Sequence, residues 1–294
     1  MANQTLQNVK IGWQLGSTGF SFIRAHKTTL IFSFLSGCLY VFTLLIFILP
    51  FVIASFADHS LLNHWFLALL FLFFTTVFST LMKVALSTYT NAIFEGIHIG
   101  FFGSVGHAFS RLFAIAQWAF IDSIVGTLVN LLRTKDKNEG ILFNILSQLV
   151  GTALQLGWSV FTFFVIPLLA FENLSAVATL QESATILKKT WGPTAGATFN
   201  IGFIGLGWLL TWYLFFFGPF TIYCKYFLTK PIPTEKAVFL IICGMMAFLV
   251  PLIVMSMMVT TVTTIVKTAL FNHTRQKPTG PFTADLLKMS FSSN

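Results

Sequence analysis

The chain has 294 residues, of which 56% are hydrophobic and only 9% charged, and Phe alone occurs 36 times. A soluble globular protein carries about 25% charged and 45–50% apolar residues, so a water-facing surface cannot be assembled from this composition. The reading is an all-α protein, a polytopic transmembrane helical bundle, in which the formal net charge of +8 belongs to span ends rather than to a soluble basic face.

In chain order, residues 1–28 are polar and amphipathic, and 11–27 read as an interfacial helix. Trp13, Phe20 and Ile23 would lie in the membrane surface, with Arg24 and Lys27 at the helix end, as such helices lie in the headgroup plane. The first apolar run is too long for a signal-peptide core and reads as a retained span. A spanning helix needs about 20 predominantly apolar residues. Six runs are predicted to span, near 29–56, 64–90, 112–132, 145–171, 194–223 and 237–266, inside a transmembrane domain covering 29–271. The run 112–132 is ambiguous, because it carries Asp122 near its centre and also fits a re-entrant or interfacial segment. Residues 91–111 and 173–191 read as further amphipathic stretches, and 272–294 as a polar C-terminal tail. Alternation over about 10 residues, the mark of an outer-membrane barrel, does not occur.

Lys and Arg favour the cytoplasmic side of short loops. Six spans with a cytoplasmic N-terminus put 11 basic residues inside and 6 outside, and dropping 112–132 as a span gives the same 11 to 6. A short internal repeat favours six. Lys83-x-Ala85-Leu86-x-x-x-Thr90 and Lys267-x-Ala269-Leu270-x-x-x-Thr274 both close a span, and a parallel repeat puts both lysines on one face. Inverted repeats would place them on opposite faces.

Three motifs carry a resemblance: Lys27-Thr-Thr-Leu-Ile-Phe-Ser-Phe-Leu-Ser-Gly37, Pro167-Leu-Leu-Ala-Phe-Glu172 and Lys188-Lys-Thr-Trp-Gly192. In this order they resemble a prokaryotic family of multi-pass membrane proteins of unknown function, over about 11–270. Ser33 stands where that family usually has Pro. The resemblance implies a six-helix membrane domain in a bacterial or archaeal plasma membrane, and no activity.

Asp122 is the most informative position. A charge inside a bilayer costs at least about 2.5 kcal/mol and needs a partner or water. It reads either as a proton or cation site or as a hydrogen-bonding contact between helices. Its candidate company is Gln117, and Asn144, Gln148 and Gln155, which recur at helical spacing on the fourth span. Lys83 is a candidate counter-charge, although snorkelling to headgroups is the simpler reading. Gly192, Gly196, Asn200, Gly202 and Gly205 form a small-residue surface on the fifth span, suited to close helix packing or to a substrate path. Arg24, Lys27, Lys83, Lys188, Lys189 and Lys267 are expected at lipid headgroups. Glu172 is expected to pair with the nearby Lys188 and Lys189.

Glu95 and His98 have the i, i+3 spacing of di-iron carboxylate sites, but His107 is the only further ligand nearby, so no metal site is expected. No nucleophile elbow, zinc-protease helix, phosphate loop or dinucleotide fingerprint occurs. The expectation is a non-catalytic protein with no cofactor: a subunit, scaffold or lipid-interacting component of a membrane assembly, or a transporter or channel with a polar site around Asp122. Its partners would be the bilayer and a membrane protein or a second copy, not nucleic acid.

Overall fold

The structure is a computed structural model that describes residues 2–56, 61–133, 141–190, 211, 218 and 234–291. Every described element is helical: α1 (Ala2–Ala25), α2 (Thr29–Phe56), α3 (Leu61–Phe94), α4 (Phe101–Ser110), α5 (Leu112–Arg133), α6 (Ile141–Phe161), α7 (Val165–Phe171), α8 (Ala176–Thr190), α9 (Thr234–Thr274) and α10 (Ala284–Phe291). Five stretches are long and apolar enough to cross a membrane: Thr29–Ile48, Phe66–Phe94, Leu112–Arg133, Ile145–Phe171 and Val250–Thr274. The helical membrane bundle expected from composition is what the structure contains. The expected span 194–223, with Gly192, Gly196, Asn200, Gly202 and Gly205, lies outside the described residues.

Helix ends follow local chemistry. α3 stops at Gly96, whose φ of +73° suits a residue without Cβ. The Ile97 amide donates to Ala92 O at 2.8 Å and the Gly96 amide to Ile93 O at 3.1 Å, the paired bonds of a Schellman cap. α9 ends in the same way, with Gln276 at φ +55° and the Lys277 amide on Asn272 O at 2.9 Å. Both helices outrun the apolar runs that predicted them, and at their C-terminal ends Ala92, Phe94, Leu270 and Phe271 are buried in protein.

Pro167 sets a break. Its ring would clash with the carbonyl four residues back, and the helix accordingly opens at 162–164 between α6 and α7. α8 repairs the opening. Ser183 Oγ donates to Phe161 O at 2.8 Å and accepts from the Phe164 amide at 3.3 Å, meeting the requirement that backbone at membrane depth finds protein partners.

Two directions divide the bundle. Phe32 meets Tyr89 while Phe47 meets Phe71, so α2 and α3 are antiparallel. α3 and α9 are parallel: Ser87 bonds Thr268 at 2.8 Å, and one turn later Asn272 Nδ2 donates to Asn91 Oδ1 at 2.6 Å. Phe163 under Lys267 and Glu172 on Arg275 set α6–α7 parallel to α9. Arg111 on Asn173 and Arg133 on Gly151 set α5 against α6–α7. Ser33 bonds Thr261 at 2.6 Å and ties α2 to α9.

α1 corrects one expectation. Ile23 is only 4% exposed and sits in a core with Leu15, Phe22, Phe164, Val266, Phe271 and Phe282, whereas Trp13 is 60% exposed. Gly19 permits this docking, since a Cβ there would stand 2.9 Å from Val262 Cγ1. The face of α1 that carries Ile23 covers α9 rather than lipid. A second core gathers Phe32, Leu81, Leu86, Ile115 and Trp118, while Phe34, Leu45 and Leu149 stay exposed on the outer surface, as lipid-facing residues do.

Candidate functional site

α3 and α9 each carry a hydroxyl row above a lysine. Thr76-x-x-Ser79-Thr80-x-x-Lys83 and Thr260-x-x-Thr263-Thr264-x-x-Lys267 repeat the same residue types at the same spacing, just before the Ala-Leu pairs 85–86 and 269–270. The spacing i, i+3, i+4, i+7 keeps each row on one helix face. Because the helices run parallel, the two rows face one cavity of about 430 Å³. α5 adds Trp118 and Asp122, and the opened turn and α7 add Thr162, Val165 and Ile166.

Asp122 is partly buried. Its Oδ1 accepts from Trp158 Nε1 at 2.7 Å, and Trp158 lies stacked on Trp118, with ring centroids 5.9 Å apart and planes 7° from parallel. The stack fixes the indole, and the indole fixes the carboxylate against the cavity wall. Lys267 Nζ lies 4.7 Å from the Phe163 ring centroid, within cation–π range. Among the described residues both ion pairs belong to Arg275. Lys83, Lys267 and Asp122 line the same cavity without forming one of those pairs. Several hydroxyls are oriented by their own helix: Thr75 donates to Phe71 O and Thr264 to Thr260 O at 2.7 and 2.9 Å.

A family model matches residues 65–281, and its description is a family of unknown function, DUF6159. The chain belongs to this family. The DUF6159 match takes in every residue that lines the cavity. No curated protein and no solved structure matches the chain.

The remaining expected site residues separate in this DUF6159 chain. Gln117 Oε1 accepts from the Ala176 amide at 3.4 Å and serves the start of α8. Gln148 and Gln155 are exposed on α6 and do not line the cavity. The side chains of Asn144 and Lys189 lie outside the described residues. Arg24, Lys27 and Lys188 are exposed, whereas Lys83 and Lys267 line the cavity. Glu172 pairs with Arg275 at 2.6 Å rather than with Lys188, and Glu182 joins it at 2.8 Å. Burial lowers the Arg275 pKa, but the hydrogen bonds and charges of Glu182 and Glu172 outweigh it and raise it above the usual arginine range. His107 Nε2 bonds Ala170 O at 2.8 Å and Asn91 donates to Glu95 at 3.1 Å. No cluster of three metal-ligating side chains occurs among the described residues.

The paired hydroxyl rows escaped sequence reading. Thr and Ser inside an apolar run read as helix contacts, and the Lys-x-Ala-Leu match itself points downstream of the lysines. Extending the register of Lys83 and Lys267 by two turns upstream exposes the rows.

Proposed function

We propose that the chain is a non-catalytic membrane protein that takes a polar solute into the cavity between α3, α5, α7 and α9, as a transporter does. One observation carries this reading: three ionisable side chains, Lys83, Asp122 and Lys267, come from three different candidate spans to one polar chamber. Each costs free energy inside a membrane, and such groups mark substrate and ion paths. Helix association alone is served by single hydrogen bonds such as Ser33–Thr261 and Ser87–Thr268, and needs neither a chamber nor charge. The volume of about 430 Å³ falls among small-molecule sites, which run from about 300 to 1,000 Å³. The expected orientation, with the N-terminus in the cytoplasm of a prokaryotic plasma membrane, is supported by Arg24, Lys27, Arg111, Arg275 and Lys277. These cluster at the end of the bundle where α3 and α9 finish, as cytoplasmic basic residues do.

Labelling tests the reading. With Cys38, Cys224 and Cys243 replaced by Ser, a Thr263→Cys variant in proteoliposomes is treated with a membrane-impermeant charged thiol reagent from each side in turn. Reaction from both sides is expected of a transporter chamber. Protection from both sides would leave Asp122 and the lysines as structural contacts only.

A second reading is favoured by α6. Gln148, Thr152, Gln155 and Ser159 recur at i, i+4, i+7 and i+11 and are all exposed, in a helix otherwise suited to lipid. Amides in hydrocarbon seek hydrogen bonds from other helices, so this stripe suits a membrane partner or a second copy. Crosslinking of a Gln155→Cys variant in native membranes tests it; capture of neither would remove the assembly reading.

A further inference from the structure

We infer that the solute is an oxyanion, a carboxylate- or phosphate-bearing molecule held between Lys83 and Lys267. The inference rests on the reading of the cavity as a solute site and assigns its chemical class. Two cations and one carboxylate line the chamber. Among the described residues no second carboxylate lines it; residues 191–234 contain neither Asp nor Glu, and Glu235 opens α9, 32 positions before Lys267, or about 48 Å at 1.5 Å per residue. Glu172 and Glu182 are engaged by Arg275, and Glu95 accepts from Asn91. Among the described residues the chamber thus sets two basic groups against one acidic group.

The geometry suits an anion as well. Two parallel, adjacent helices bring the same row, hydroxyls and then lysine, to one cavity, so an oxyanion there would meet an ammonium from each helix. Thr75, Thr162 and Thr264 spend their hydroxyl protons on their own helices, which leaves the other hydroxyls of the rows, such as Thr76, Thr80 and Thr263, to donate where ammonium groups do not reach. Asp122 lies on a third wall, pinned by Trp158, where its charge opposes an anion and favours release. Favourable entry with incomplete neutralisation is what a carrier, rather than a permanent structural anion site, requires.

The test uses the full chain in nanodiscs of phosphatidylcholine. Binding of inorganic phosphate, succinate, tetraethylammonium and glucose is followed by the shift in unfolding temperature and by calorimetry, and co-purified lipid is identified by mass spectrometry. Phosphate or succinate is expected to bind, weakened by about tenfold or more in Lys83→Gln and in Lys267→Gln, as loss of a charged hydrogen bond implies. Lys83→Arg should retain binding, and Asp122→Asn should tighten it. If instead an anionic lipid stays with the wild type and leaves the Lys83→Gln/Lys267→Gln double variant, the oxyanion comes from a headgroup and the inference stands. Binding of tetraethylammonium or glucose alone would overturn the anion while keeping the solute site. Binding of no probe and retention of no anionic lipid would remove both, as would anion binding indifferent to the two lysines.

Discussion

Ser183 holds the opened turn between α6 and α7, and its removal is a sharp perturbation. Ser183 is fully buried, donates to Phe161 O at 2.8 Å and accepts from the Phe164 amide at 3.3 Å. Ser183→Ala removes both bonds and leaves the buried Phe164 amide and the partly buried Phe161 carbonyl without this partner. Each unsatisfied group costs about 1–3 kcal/mol, and the longer contact belongs at the low end, so the loss should be about 2–4 kcal/mol. Reversible unfolding in mixed micelles, read by Trp fluorescence, measures it. Ser183→Thr keeps the hydroxyl and should recover most of the loss. A change below about 0.5 kcal/mol in Ser183→Ala, the range of a neutral surface substitution, would refute the reasoning, because the freed backbone groups would then have other partners.

Gly96→Ala should destabilise by about 1–2 kcal/mol, since φ +73° puts Cβ against backbone; thermal unfolding checks it, and Gln276→Gly should run in the opposite direction. Asn272 Nδ2 donates to Asn91 Oδ1 and to Pro278 O at 2.6 and 2.9 Å, so Asn272→Ala should cost about 2–3 kcal/mol. Because it also releases the segment after α9, proteolysis near 276–283 should quicken. Arg275→Gln should cost no more than about 1 kcal/mol, as its pairs are partly exposed and salt-screened. The raised Arg275 pKa means that its contribution is fully present below the ordinary arginine value and is lost only as pH rises past the folded one. Stability measured from pH 7 to about 11 should therefore show no loss from this residue.

The spans were legible because hydrocarbon imposes a length and a composition on each of them. Asp122 was legible for the same reason: one carboxylate inside an apolar run stands out. The cavity was not, because a periodic pattern tells which residues share a face and not what the face meets. Gln148 and Gln155 share a face, and it is exposed; Thr76 and Thr80 share one, and it is interior. Lys83 and Lys267 lie near the ends of apolar runs, where a long side chain can reach headgroups, and only the packing of α3 against α9 turns them inward. The ion partner of Glu172 was missed because Arg275 is 103 positions away, whereas Lys188 is near in sequence.

The parallel course of α3 and α9 reaches beyond the cavity. α7 finishes at the end of the bundle where α9 also finishes, and α9 starts at the opposite end. A ribosome making this chain would therefore finish both lysine rows on the same face. The first row would wait without its counterpart for more than half of synthesis, so the chamber can close only after the last span is in place.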